Sequence, residues 1–241
     1  MFAQTDGASS APALSGSRQV LLVTTHDWND IHGTAQRYER SRPAGDWRAV
    51  GASFPVTVGK TGLAWGRGLH PLDSAGANAP IKKEGDGRAP AGIFGLGPAF
   101  GYAPKRLSGS RMSYFPVTRT SECVDDSQSR HYNQLLDDRG VQKDWNSSET
   151  MLRQDDLYRA GVFVAHNSKP ATPSAGSCIF LHIWRGPDIP TVGCTAMQPE
   201  IIEGLIRWLD PAKHPVLVQL PEEEYRRLRC AWKLPGPCEA P

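Results

Sequence analysis

The sequence lacks long hydrophobic runs and lacks an excess of charge of either sign. Its longest apolar stretches, such as residues 20–23 and 179–181, are far shorter than the ~18 residues that a membrane-spanning helix needs. The 27 Lys and Arg residues face 25 Asp and Glu residues, which leaves a formal net charge of +2. This balance gives no electrostatic reason to expect a nucleic acid or an anionic membrane as a partner.

Cysteine is scarce and shows no metal-binding spacing. The five cysteines include no C-x-x-C pair, which argues against a zinc finger. Because five is an odd number, at least one thiol stays unpaired, or pairs between chains, in an oxidising compartment. Cys230 and Cys238 bracket a tail that could close a small disulfide loop. Cys178 could be a buried thiol or form a disulfide with Cys123.

A basic segment followed by an apolar one, which would mark a signal peptide, is also absent from the first residues. We interpret residues 1–17, rich in Ala and Ser, as a flexible leader that remains after a preceding signal peptide is removed. Residues 18–228 contain no repeat and no convincing linker, so we expect one domain there. Residues 229–241 form a C-terminal tail.

Glycine (24) and proline (20), by contrast, are abundant and favour many turns between short strands. Short β-branched apolar runs predict strands at 18–25, 47–58, 161–165, 177–184 and 215–220. Gly-rich segments at 60–72 and from Gly85 onward predict loops around a pocket. The sequence therefore predicts a mainly β fold.

Helices are predicted at four places. Pro199 suits the first turn of a helix, whose apolar face comprises Ile201, Leu205, Trp208 and Leu209 and which Asp210 and Pro211 end. Apolar residues at helical intervals predict short helices at 130–138 and 148–160, and the charged segment 221–228 predicts another.

One segment combines a histidine and a cysteine at short spacing. His182 lies near the end of a predicted strand, and Cys194 follows Gly193 on a tight turn that we expect to precede a helix. A neighbouring imidazolium and a helix N-terminus both lower the pKa of a thiol, and the thiolate is the nucleophilic form. The amides of the turn, including that of Cys194, could bind an oxyanion. On spacing alone, two ordinary core residues are the more frequent explanation.

Several runs carry a resemblance to a known family. They are TVGCTAM at 191–197 and IFLHIW at 179–184, with GDGRAPAGIFGLG at 85–97 and CVDDSQSRHYNQ at 123–134. Together they resemble the L,D-transpeptidase catalytic domain, the YkuD family of bacterial cell-wall enzymes, over most of residues 18–221. The resemblance implies a β-sandwich of mixed sheets with a few short helices and a mobile lid over the active site.

The resemblance also implies roles for individual residues. In the family motif [S/T]-x-G-C the cysteine is the nucleophile, which corresponds to Cys194, with Thr191 and Gly193 at the other fixed positions. The family's upstream histidine, the general base, corresponds to His182. The implied reaction is a two-step acyl transfer through a thioester, resolved by the amine of a second peptidoglycan stem peptide or by water. It needs no metal and no organic cofactor.

Two features depart from the family pattern. Only eleven residues separate His182 from Cys194, fewer than in most members, and Ala196 stands where most members carry an arginine. Arg185 could compensate for the missing arginine. The departures make a candidate of the subgroup that forms 1,3 crosslinks, between L-Ala and diaminopimelate, in place of the usual 3,3 crosslinks.

Two further groups are candidates for substrate binding. In one interpretation, Trp184 and Arg185 line the substrate groove, and Arg185 binds a stem-peptide carboxylate. In the other, they are a packing tryptophan and a surface arginine. A polar cluster shapes the acceptor site or forms a structural network: Asp125, Asp126, Tyr132 and Asn133.

The remaining polar motifs have simpler explanations. His166 is a rival for the base, but IFLHIW matches the family better. The run HDWNDIH at 26–32 lacks the H-E-x-x-H spacing of a metal site, and Asp86 and Arg88 suit a stabilising turn.

The sequence thus predicts a periplasmic or exported L,D-transpeptidase, monomeric, with stem peptides as donor and acceptor. An L,D-carboxypeptidase or endopeptidase on the same scaffold is one alternative. A peptidoglycan-binding module with an unreactive Cys194 is the other.

Overall fold

The computed structural model describes residues 14–238, and the described chain is mainly β, as predicted. Its strands are β1 Gln19–Thr25, β2 His32–Glu39, β3 Arg48–Thr57, β4 Leu63–Trp65, β5 Ala89–Gly101, β6 Tyr114–Pro116, β7 Ser121–Val124, β8 Leu135–Asp137, β9 Ser148–Thr150, β10 Ala160–Val164, β11 Phe180–Ile183, β12 Thr195–Met197 and β13 Val216–Pro221. The α-helices are α1 Pro199–Trp208 and α2 Glu222–Leu228, and short 3-10 helices occupy Leu72–Ser74 and Pro211–Lys213. Within residues 14–238, no helix has the length and apolar character needed to cross a bilayer.

The larger sheet closes into a barrel, and the expected sandwich of mixed sheets is not confirmed. Its strands follow the order β10, β11, β12, β3, β2, β1, β13 and β5, and β5 pairs back onto β10. β1 is antiparallel to β2 but parallel to β13, with Val20 opposite Val216. The strands β4 and β6 are added to β5 outside this ring.

Apolar side chains from all eight strands of the ring meet in one cluster inside the barrel, together with α1. Pro199 begins α1 and the helix ends before Asp210, as predicted. Its buried face differs slightly from the prediction, because Ile202, Leu205 and Ile206 are buried while Trp208 is only partly so.

A second apolar cluster covers the outer side of β1, β13 and β5. It includes α2 and Trp232, which is fully buried. It also includes Leu14, so the predicted leader packs on the barrel at this residue, and Ser17 is buried too. Residues 1–13 of the leader and 239–241 of the tail lie outside the described residues.

The small sheet β8-β7-β9 lies between β6 and β10 in the chain. The helices predicted at 130–138 and 148–160 are wrong, since β8 and β9 with intervening turns occupy these segments. Asn133 and Asp156 have positive φ values of 62° and 56°, which an α-helix does not admit. A disulfide joins Cys123 in β7 to Cys178, just before β11, so this alternative of the sequence analysis is confirmed.

Candidate active site

The parallel pair β11–β12 brings His182 and Cys194 together. His182 pairs with Ala196 in this ladder, and Cys194 lies two residues before Ala196. Because side chains alternate between the two faces of a strand, His182, Ala196 and Cys194 share one face, whereas Leu181 and Met197 fill the barrel. Both His182 and Cys194 line a cavity of about 170 Å³ on the outside of the barrel.

Thr191 and Gly193 shape the turn that presents Cys194. The Thr191 hydroxyl donates to the carbonyl oxygen of Cys194 over 2.7 Å and accepts from the Gly193 amide over 3.1 Å. Gly193 has a φ of 154°, and a Cβ at this position would lie 3.2 Å from the carbonyl oxygen of Arg88. The turn therefore requires a glycine before the cysteine.

His182 is held in one tautomer. Its Nδ1 lies 2.7 Å from the carbonyl oxygen of Ile183, which can only accept, so Nδ1 carries the proton and Nε2 keeps its lone pair. Nε2 has no hydrogen-bond partner within residues 14–238. The Tyr158 ring packs edge-on against the imidazole, with centroids 5.1 Å apart. Burial lowers the pKa of His182 to about 4, so the ring is neutral at neutral pH and can accept a proton.

Cys194 is a buried, protonated thiol. Its Sγ accepts from the Phe180 amide over 3.3 Å and lies 3.7 Å from the carbonyl oxygen of Cys178. Burial, and secondarily the charge of Glu149, raises the pKa of the Cys194 thiol far above its usual value.

The prediction of a lowered thiol pKa is therefore wrong for the described structure. The strand β12 follows Cys194 directly, and α1 begins only at Pro199. His182 is uncharged at neutral pH, so neither of the two expected sources of positive potential acts on the thiol.

The cavity also contains a carboxyl group that sequence reasoning missed. Glu149 pairs with Cys123 in the β7–β9 ladder, and the disulfide from Cys123 to Cys178 anchors this ladder beside the site. Glu149 accepts from the Tyr158 hydroxyl and lies 3.8 Å from Arg153 Nη1, and its side chain is 25% exposed. No motif surrounds Glu149, so only the tertiary fold reveals it.

Trp184 and Arg185 line the same cavity as His182. The Arg185 Nη2 lies 3.3 Å from Asp155 Oδ2, and its side chain is 57% exposed. Arg153 holds Asp155 through two hydrogen bonds of 2.8 and 2.7 Å, which, with further contributions, lowers the pKa of Asp155. The cavity therefore has two guanidinium groups at its rim.

Tyr132 and Asn133 do not line this cavity. The amide group of Asn133 donates to the carbonyl oxygens of His166 and Asn167, each over 2.8 Å, and accepts from the Cys178 amide over 2.9 Å. The Tyr132 hydroxyl donates to Glu84, which also accepts from Ser177. Both residues are buried and belong to a network that holds the segment before β11.

His166, the rival base, is buried apart from the Cys194 cavity. Its Nδ1 accepts from the Arg67 amide over 3.2 Å, and its Nε2 lies 2.9 Å from the carbonyl oxygen of Ala175. Burial lowers its pKa to about 3. Both ring nitrogens of His166 are thus engaged, whereas Nε2 of His182 is not.

The other polar motifs have local roles. Asp86 accepts from the amides of Lys83 and Arg88 over 2.8 and 2.9 Å, as expected of a turn residue. His32 lies 3.3 Å from both Asp30 and Asp188. In the part of the chain that the structure describes, no three His, Cys, Asp or Glu side chains gather as metal ligands.

The chain matches no protein-family model, no curated protein and no solved structure. The likeness to L,D-transpeptidases therefore rests on the motifs quoted above.

Proposed function

We propose that the protein is a cysteine-dependent L,D-transpeptidase that crosslinks peptidoglycan stem peptides. The observation that carries the proposal is that Cys194, a protonated thiol, and His182, a neutral imidazole with an unengaged Nε2, line one cavity. A thiol and a positioned base are the two groups that acyl transfer by covalent catalysis requires.

In the proposed acylation, His182 Nε2 accepts the proton of Cys194 as the sulfur attacks a carbonyl carbon. The attacked carbonyl joins an L residue to a D residue. Because the free thiol has a high pKa, proton transfer accompanies the attack and does not precede it. His182 then gives the proton to the departing amine, and a thioester remains.

The developing oxyanion needs donors near Cys194. The Gly193 amide already donates to the Thr191 hydroxyl over 3.1 Å, so the Cys194 amide is the donor we assign to the oxyanion. Thr191 supports this role, since its hydrogen bond to the Cys194 carbonyl oxygen fixes the peptide plane that follows the nucleophile.

We expect the donor stem to bind along the wall formed by Trp184 and Arg185. Arg153 and Arg185 at the rim suit the carboxylates of a stem peptide.

The lid and the sandwich of sheets stay predictions, and so do the periplasmic location and the monomeric state. For the lid, we propose residues 186–190, whose apolar side chain Ile189 is 46% exposed.

The test is to incubate the protein, and its Cys194→Ala variant, with peptidoglycan fragments of defined stem length and to analyse the products by liquid chromatography and mass spectrometry. Crosslinked dimers that depend on Cys194 support transpeptidation, and fragmentation distinguishes 1,3 from 3,3 crosslinks. Shortened monomers alone indicate a carboxypeptidase or endopeptidase. Unchanged fragments indicate a binding module. A variant with Cys230 and Cys238 both changed to Ser controls for the exposed thiols.

A further inference from the structure

Cys194 lines a second cavity besides the one that it shares with His182. This cavity has a volume of about 410 Å³ and includes Glu149 and Val192 from the first cavity, but His182, Trp184 and Arg185 do not line it. The sulfur is therefore flanked by two separate spaces, with Glu149 at both. Such an arrangement suits a reaction in which two different molecules meet the same atom in turn.

Most charged groups in the second cavity already have partners. Glu84 accepts from Tyr132 and Ser177. Asp125 accepts from the Ser147 hydroxyl. Lys82, whose side chain is only 4% exposed, forms an ion pair of 2.7 Å with Asp86.

Two charged groups in the second cavity have atoms that are free to form further hydrogen bonds. Glu149 accepts from Tyr158 through Oε1, and its Oε2 has no hydrogen-bond partner within residues 14–238. The Lys60 ammonium also has no partner there. The backbone amide of Lys60 donates to the Thr191 carbonyl oxygen over 2.8 Å, which fixes Lys60 beside the turn that carries Cys194.

We propose that this cavity is the acceptor subsite, and that it binds the zwitterionic head group of an amino acid with the ammonium on Glu149 and the carboxylate on Lys60. An unengaged carboxylate oxygen and an unengaged ammonium complement a ligand that carries both opposite charges on one carbon. The inference rests on the proposed function, because the cavity is an acceptor site only if Cys194 becomes acylated.

Glu149 then acts as a base in the second half-reaction. Its carboxylate takes one proton from the bound ammonium and later releases it to solvent. The amine nitrogen attacks the thioester carbon, His182 Nε2 accepts the second nitrogen proton, and the carbon–sulfur bond breaks. His182 passes its proton to the departing sulfur, so the products are an amide, the Cys194 thiol and one proton. Burial raises the pKa of Glu149, which strengthens it as a base.

The experiment separates the two half-reactions. A stem-peptide donor acylates the wild-type protein and the Glu149→Gln variant, and intact mass spectrometry measures the acyl-enzyme. Transfer is then followed with D-alanine, D-alaninamide or hydroxylamine as the acceptor. The variant keeps an acceptor oxygen for the Tyr158 hydroxyl, and hydroxylamine is largely uncharged at neutral pH, so it needs no carboxylate to remove a proton.

We expect Glu149→Gln still to form the acyl-enzyme, because it removes a charge that raises the pKa of the Cys194 thiol. From that acyl-enzyme it should transfer to D-alanine about 100-fold more slowly and retain transfer to hydroxylamine. Equal losses with both acceptors would show that Glu149 only positions its neighbours, and would overturn its role as the base. Melting curves of the two proteins show whether the variant is folded.

Lys60→Met tests the other charge without touching a buried residue. We expect the KM for D-alanine to rise about tenfold, while the KM for D-alaninamide, which lacks the carboxylate, stays unchanged. Unchanged selectivity between these two acceptors would overturn the proposal. If the wild-type protein forms no acyl-enzyme at Cys194, the proposed function fails and the acceptor subsite fails with it. Normal acylation without acceptor selectivity overturns the subsite alone.

Discussion

The Thr191 hydroxyl and the carbonyl oxygen of Cys194 form a hydrogen bond of 2.7 Å, and the same hydroxyl accepts from the Gly193 amide. A valine has nearly the shape of threonine but forms neither bond. We therefore expect Thr191→Val to lower the free energy of unfolding by about 1–3 kcal/mol, because two backbone groups lose their partner.

The same variant should lose activity, since the peptide plane after the nucleophile is no longer fixed. Thr191→Ser, which keeps the hydroxyl, should recover most of both losses. Urea unfolding and the crosslinking assay measure the two effects. A valine variant as stable and as active as the wild-type protein would contradict this role of Thr191.

The protonation state of Cys194 predicts how its reactivity depends on pH. Because burial raises the pKa of the thiol and His182 is neutral at neutral pH, the resting protein holds no thiolate–imidazolium pair. The rate of alkylation by iodoacetamide should keep rising beyond about pH 9, without a plateau near neutrality. The measurement uses the Cys230→Ser, Cys238→Ser variant, so that Cys194 is the thiol observed. A plateau near pH 7 that His182→Ala removes would reveal an ion pair instead.

Three buried histidines predict destabilisation by mild acid. Burial lowers the pKa values of His70 and His182 to about 4 and that of His166 to about 3. Below about pH 6.5 these histidines bind protons in the unfolded chain but not in the folded chain. The free energy of unfolding therefore decreases as the pH falls from 6.5 towards 4. Each such histidine adds a slope of up to about 1.4 kcal/mol per pH unit.

Urea unfolding at several pH values in this window measures the slope. His182→Gln should reduce the slope by the contribution of one histidine, because the variant leaves His70 and His166 unaffected. The side chain of His182 borders the cavity. A free energy of unfolding that stays constant from neutral pH to about pH 5 would contradict the lowered pKa values.

The disulfide between Cys123 and Cys178 should contribute strongly to stability. It closes a loop with a sequence separation of 55, for which chain entropy predicts about 4 kcal/mol. We expect the Cys123→Ala, Cys178→Ala variant to lose a comparable amount in urea unfolding. Reducing agent should destabilise the wild-type protein and leave this variant unchanged. Equal responses of both proteins would show that the bond is not formed in solution.

The Cys123→Ala, Cys178→Ala variant should also have a lower crosslinking activity. Cys178 contributes a carbonyl oxygen beside the Cys194 sulfur, and Cys123 pairs with Glu149. Without the bond, the small sheet and the barrel are no longer covalently joined beside the site.

Strands β1, β3, β10, β11 and β13 of the barrel could be predicted because each is a short apolar run between turn residues. The largely polar β2 and the three-residue β12 carry no such run and were not predicted. The helix predicted at 148–160 was wrong because the apolar residues of this segment recur at helical intervals without forming a helix. Met151 and Tyr158 are buried in one cluster with Phe180, so their spacing reflects packing against the barrel and not a helical face.

The motif and the family resemblance also predicted a common site for His182 and Cys194, which line one cavity, but not the strand β12 that follows Cys194. The charge states were not predictable. Burial sets the pKa values of both groups, and burial depends on residues distant in sequence, such as Tyr158. Glu149 escaped prediction for the same reason, as it reaches the site only through the β7–β9 ladder and a disulfide.

The parallel pairing of β1 with β13 has a consequence for biosynthesis. Val20 in β1 pairs with Val216 in β13, so the ring cannot close until β13 is available to β1. Contacts of such high sequence separation slow folding, and a nascent chain that ends before Val216 presents two apolar strand edges, on β1 and β5, with nothing between them. The barrel therefore cannot close before β13 has been synthesised, and premature termination anywhere upstream of β13 should yield an aggregating fragment.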